Sequence, residues 1–123
     1  MWRNATVKNK TFWHITKKEF FRSIQENGIF KSTDGQVGTG VYAIIPDLDV
    51  LDNLLEFFEL ERKNLSTDVI AVEFSYSGEI VESPVKNFIY ENEGWIKIEN
   101  KIPAKNIISI VNYDNFNLLE KVN

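Results

Sequence analysis

The chain has 123 residues, about one domain's worth, with 43% apolar and 13% aromatic residues and a formal net charge of −4. It has no cysteine and a single histidine, which excludes a disulfide framework, a thiol nucleophile and the Cys- or His-rich metal sites, so no metal cofactor is expected. With no Lys/Arg-rich block it is poorly suited to broad phosphate-backbone binding, and with neither an apolar leader nor a run of about 20 apolar residues it is expected to be soluble and cytoplasmic.

In chain order, the first ten residues carry no clear pattern and are expected to be a ragged end, with the core running from about 11 to 113. Thr11 to Ile15 reads as a short strand, and Thr16-Lys17-Lys18-Glu19 fits a capping box, the hydroxyl accepting from the backbone ahead while the carboxylate reaches back. A helix is predicted from about Lys17 to Asn27, with Phe20, Phe21 and Ile24 on one face and Asn27-Gly28 as its stop. Gly28 to Gly40 holds four glycines among small polar residues and reads as a long loop, a feature that in compact domains is commonly functional.

Val41 to Ile45 reads as a buried strand closed by Pro46. Asp47 or Asp49 can cap the next helix, whose apolar face is Leu51, Leu54, Leu55 and Phe58. From Asp68 the period changes to two, with Ile70, Val72, Phe74 and Tyr76 alternating with other residues until Ser77-Gly78 turns the chain toward a strand near Ile80-Val81. Further strands are predicted at Val85 to Tyr90, Trp95 to Ile98 and Ile107 to Tyr113, with a turn or one helical turn at Pro103 to Asn106 and a short closing helix at Asn115 to Lys121. Helices early and strands late, without βαβ alternation, give a single α+β domain over residues 1–123 with mainly antiparallel sheets.

Three stretches carry possible chemistry: His14-Ile15-Thr16 at a strand end, Gly38-Thr39-Gly40-Val41-Tyr42 entering a strand, and Glu91-Asn92-Glu93-Gly94-Trp95 before a late strand. Taken singly, each has an ordinary explanation. A lone His between Trp13 and Ile15 can be a core residue with a satisfied hydrogen bond, and Thr16 can be only a helix cap. Tyr42 can be strand core, the glycines a turn and the acids a solvated hairpin loop.

In their joint order, with an intervening helix ending in Asn27-Gly28-Ile29, these stretches resemble the His-Tyr-Glu branch of the ADP-ribosyltransferase superfamily over about Thr11 to Ile110. The resemblance implies two mainly antiparallel β-sheets with flanking helices around an NAD cleft. It also implies NAD as substrate, with His14 and Thr16 at the adenosine ribose, Gly38 and Gly40 where the backbone approaches the dinucleotide, and Tyr42 stacked on the nicotinamide. A neutral imidazole suits a ribose hydroxyl because it donates and accepts without fixed charge. A carboxylate beside the scissile ribose would stabilise the cation-like transition state. The family's acid belongs at the start of the strand that opens with Trp95; Gly94-Trp95 hold that place, which makes Glu93 the candidate, Glu91 the alternative and Glu99 a third.

The implied activity is mono-ADP-ribosylation of a macromolecule, protein rather than nucleic acid, and so short a chain suits a toxin, an effector or a phage or plasmid counter-defence protein. A NAD glycohydrolase on the same site, or a catalytically inactive nucleotide- or protein-binding module, shares the fold. An RNA 2′-phosphotransferase of the same superfamily fits less well, since no Arg stands near these motifs.

Overall fold

The computed structural model describes residues 2–33, 38–52, 54, 69–83 and 94–112 and, as backbone alone, 118–121. They form a small mixed α/β domain, mostly antiparallel sheet. The strands are β1 (Arg3–Lys17), β2 (Val41–Ile44), β3 (Val69–Glu82), β4 (Trp95–Ile98), β5 (Ile107–Asn112) and β6 (Leu118–Lys121). Helix α1 (Phe21–Asn27) follows β1 after one 3-10 turn, and a second helix, α2, is described at 48–52 and 54. No helix among the described residues is long and apolar enough to cross a membrane.

The frame is a ladder between the two long strands, from Arg3↔Glu82 at one end to Lys17↔Val69 at the other. The expected ragged end is therefore strand. Arg3 Nε lies 3.1 Å from the Glu82 carboxylate, and Ala5 and Val7 pack on the core. The expected turn at Ser77-Gly78 is also strand; the irregularity sits across from it. Three steps from Val7 to Lys10 face two from Gly78 to Tyr76, so β1 holds one extra residue. That bulge is fixed by Asn9, at φ 50°, whose backbone N–H donates to Ser77 Oγ at 2.8 Å.

Along its other edge β3 pairs first with β5 (Ile70↔Asn112 to Phe74↔Ile107) and then with β4 (Val81↔Lys97, Glu82↔Ile96). Because β4 pairs with β2, and β2 with β1 at Ile44↔Trp13, the pairings close a circuit of β1, β2, β4 and β3. Two separate sheets were expected; the described residues form one six-stranded sheet that curls on itself, because β3 is long enough to serve β4 and β5 in turn. The expected closing helix is the edge strand β6 over residues 118–121, its backbone bonded to β5. Local helix preference yields there to the unpaired edge of β5.

Strand alternation separates two cores. One face carries Phe12, Val41, Ala43, Val72, Phe74, Ile96 and Ile98 and is capped by Ile24 of α1 and by Ile29 and Ile102. Its Phe12 and Phe74 rings lie 6.0 Å apart and tilted, a favourable aromatic arrangement. The other face carries Trp13, Ile15, Ile44, Ala71 and Trp95 and is covered by Val50, Leu51 and Leu54 of α2. Asp47 caps α2, its carboxylate accepting from the backbone N–H groups of Asp49 (2.8 Å) and Val50 (3.2 Å).

The end of α1 needs its glycine. Gly28 sits at φ 83° and ψ −165°, a conformation open almost only to glycine, while its N–H donates to Ile24 O at 2.9 Å. A Cβ there would run into the backbone of Ile102 to Ala104, which pairs with Ile29 through two hydrogen bonds of 2.8 and 3.0 Å.

Candidate functional site

His14 lies in β1 opposite Val72, on the face that carries Phe12. Its Nδ1 is 2.6 Å from the backbone oxygen of Tyr42, 28 residues on. Only an N–H can bond a carbonyl, so the proton sits on Nδ1, and Nε2 is left as an acceptor with no partner among the described residues. Burial holds the imidazole below its usual 6.5, partly offset by the Tyr42 carbonyl. The ring is thus a neutral group with one nitrogen committed to the β1–β2 seam.

Thr16 shares this face of β1 and pairs with Ile70 inside the strand. The expected capping box does not form: the 3-10 turn begins after Lys17 without a side-chain cap, because β1 runs on past Thr16 as long as β3 is there to pair with it.

Tyr42 takes the opposite face. Its cross-strand partner is Lys97, beside the pair Ile44↔Trp95 of the second core, so its ring projects away from the His14 side of the sheet. The phenol donates to the Gly38 carbonyl at 2.6 Å. The structure therefore joins His14 to the backbone of Tyr42, not to its ring.

The predicted loop is tied at its neck. Ser32 and Gly40 exchange two backbone hydrogen bonds of 2.8 and 3.1 Å, which occupy the Gly40 N–H and C=O. A Cβ on Gly40 would meet Lys97 Cγ at 2.7 Å and the Ile98 carbonyl at 2.9 Å. The glycine is required because the Lys97 stem fills that space. Gly38 stands at φ 100°, and a Cβ built on it would lie 3.8 Å from the Lys97 ammonium.

Lys97 is the residue that pattern reading missed. In Trp-Ile-Lys-Ile a lysine reads as the solvent position of a strand, yet this one is 7% exposed. Its Nζ bonds Glu99 Oε1 at 3.2 Å, and that carboxylate is 70% exposed. The signal that could have found it lies elsewhere in the chain, in two glycines bracketing Thr39 just before a strand, which leave room for a long aliphatic stem.

Glu91 and Glu93 lie outside the described residues. Gly94, which follows them, sits at φ 84° and accepts from the Ile45 N–H at 2.9 Å, so β4 starts in register with the end of β2. Among the described residues no three His, Asp or Glu side chains gather as a metal site.

Comparison with protein-family models, curated proteins and solved structures finds no match.

What the arrangement can do follows from its groups. On one side of β2 a neutral imidazole offers an acceptor for a hydroxyl. On the other a phenol, a cation and a carboxylate surround a two-glycine turn.

Proposed function

We propose that the chain is a NAD-dependent mono-ADP-ribosyltransferase of the ADP-ribosyltransferase-like fold. The observation that carries this reading is the 2.6 Å bond between His14 Nδ1 and the Tyr42 carbonyl, which ties the first two motif residues across neighbouring strands. That bond orients the imidazole and leaves Nε2 to accept from the adenosine ribose, with Thr16 beside it on the same face of β1. In this reading Gly38 and Gly40 form the turn the dinucleotide passes. The Tyr42 ring, held to Gly38 on the face of β2 away from His14, does not share the imidazole's side of the sheet, so the expected stacking on the nicotinamide is not part of the reading. Glu93, or Glu91 in its place, supplies the carboxylate that stabilises the cation-like ribose as nicotinamide leaves. ADP-ribose then passes to a nucleophile on a protein acceptor; water in its place gives the glycohydrolase.

The experiment uses NAD labelled separately on adenine and on nicotinamide, with cell lysate as the source of acceptors. Release of nicotinamide with adenine label on macromolecules is the expected result, and release with free ADP-ribose alone assigns the hydrolase. Absence of nicotinamide release sinks both enzymes and leaves the binding module. Where release is seen, Glu93→Gln abolishes it while NAD still binds; if Glu91→Gln does so instead, the acid is Glu91.

A further inference from the structure

The two edges of β1 are used unequally. Along one edge β3 pairs with it from Arg3 to Lys17; along the other the only described strand is β2, which meets it at Trp13↔Ile44. Pro46 explains why the contact is so short. Two residues past Ile44 the chain reaches a residue with no N–H to donate, and Asp47 caps α2, so the chain leaves the edge of β1 as it reaches the level of Thr11. From Thr11 back to Arg3 the main-chain groups that point away from β3 meet no described strand, and Arg3, Asn4, Thr6, Lys8, Asn9 and Lys10 are exposed.

An open edge of this length is a template for another strand, and proteins commonly guard such edges with lysines and a bulge. Both guards are present: Lys8 and Lys10 flank Asn9, the bulged residue that Ser77 holds. A guard of one sign is selective, however, and charge in this chain is segregated. The first 18 residues carry five of its 14 Lys and Arg and no acid, whereas the other 105 carry nine against 18 acids. Arg3 is answered by Glu82, but Lys8 and Lys10 have no counter-charge among the described residues. A second copy joined through this edge would set Arg3, Lys8 and Lys10 against the same three residues, and like charges facing across a strand pair destabilise it. A strand bearing Asp or Glu reverses that sign. Ala5 and Val7, half-buried and packed on the larger core, give the same edge an apolar flank.

We infer that the edge of β1 from Arg3 to Thr11 docks an extended acidic segment of another protein. The segment adds a strand to the sheet, with apolar residues beside Ala5 and Val7 and carboxylates beside Lys8 and Lys10. Main-chain hydrogen bonds supply the affinity, and the two lysines select the partner. The inference is independent of the NAD reading, since no residue of that site lies between Arg3 and Thr11.

The test uses synthetic peptides of about ten residues, an ordinary strand length, that alternate valine with glutamate. Controls carry lysine in place of glutamate, or glutamate on a backbone N-methylated throughout, which has no N–H to pair. Binding to the full chain is read by fluorescence anisotropy at low salt, and its place by amide hydrogen exchange. The acidic peptide is expected to bind, to weaken as salt rises, and to protect amides between Asn4 and Thr11. Lys8→Glu combined with Lys10→Glu is expected to leave the melting temperature unchanged, to lose about 10- to 100-fold in affinity for the acidic peptide and to gain the basic one. Failure of the acidic peptide to bind the unchanged chain overturns the inference, and so does equal affinity for the basic or the N-methylated peptide. Tighter binding of a single-stranded oligonucleotide assigns the edge to nucleic acid, and a dimer that the acidic peptide dissociates assigns it to a second copy; either result overturns the inference. If the doubly reversed variant fails to fold, Lys8→Gln combined with Lys10→Gln takes its place, and unchanged affinity for the acidic peptide overturns the inference.

Discussion

The two faces of β2 make opposite uses of the same four residues. Toward the larger core, Val41 and Ala43 sit among side chains that are almost fully buried, and the imidazole on that side, His14, is kept neutral. Toward the other face, Tyr42 stands among two glycines, a lysine and a glutamate before the strand passes under α2. The difference teaches where polar chemistry can be held in so small a protein. The larger core fixes the backbone of β2, and that rigidity places Tyr42 and its neighbours on the far side, beside the smaller core under α2.

The contrast can be broken most severely from the apolar side. Phe74 is fully buried and packs on Phe12, so Phe74→Ala is expected to cost about 3–5 kcal/mol, read as a lower urea midpoint. On the polar side Gly40→Ala drives a methyl group into the Lys97 stem and the Ile98 carbonyl, and about 1–3 kcal/mol is expected from overpacking. If Gly40→Ala were as stable as the unchanged chain, the clamp on Lys97 would not exist.

His14 gives the next effect, through pH. Its folded-state pKa is lowered, so the unfolded chain binds more protons below the usual 6.5, and stability falls as the pH drops from there through the folded value. A single group contributes at most about 1.4 kcal/mol per pH unit. Denaturation midpoints between pH 7 and 5 should carry this slope in the unchanged chain and lose it in His14→Gln. The smallest effect is expected from Tyr42→Phe, which removes one partly exposed hydrogen bond to Gly38 and should cost about 1 kcal/mol by the same measurement. A larger loss would mean that the polar face, too, supports the fold.

Much of the frame was legible in local pattern. The helix that ends at Gly28, the strand Val41–Ile44, the cap at Asp47 and the alternation through Tyr76 all follow from signals a few residues long. What escaped depends on partners far away in the chain. Arg3 to Lys10 looks unpatterned because the ribbon it forms is half exposed and its reason for being extended is Tyr76 to Glu82. Thr16 has every local mark of a cap, but Ile70 keeps it in the strand. Within the site, the His14–Tyr42 link was foreseeable as proximity, whereas the placing of their rings on opposite faces needed the register Trp13↔Ile44. Lys97 was invisible because its burial is created by residues that lack side chains.

The ladder between β1 and β3 also bears on how the chain comes together. Its outermost rung joins residues separated by 79 positions, and β2 lies wholly within that excursion. The entropy of closing so long a loop is lost before most of the contacts that repay it can form, which places this domain among slow folders for its size. The Gly38–Tyr42 turn can be seated only between strands that are already in register. A weakened ladder would therefore release the turn first, and loss of binding should precede global unfolding in any variant that loosens the Arg3–Glu82 end.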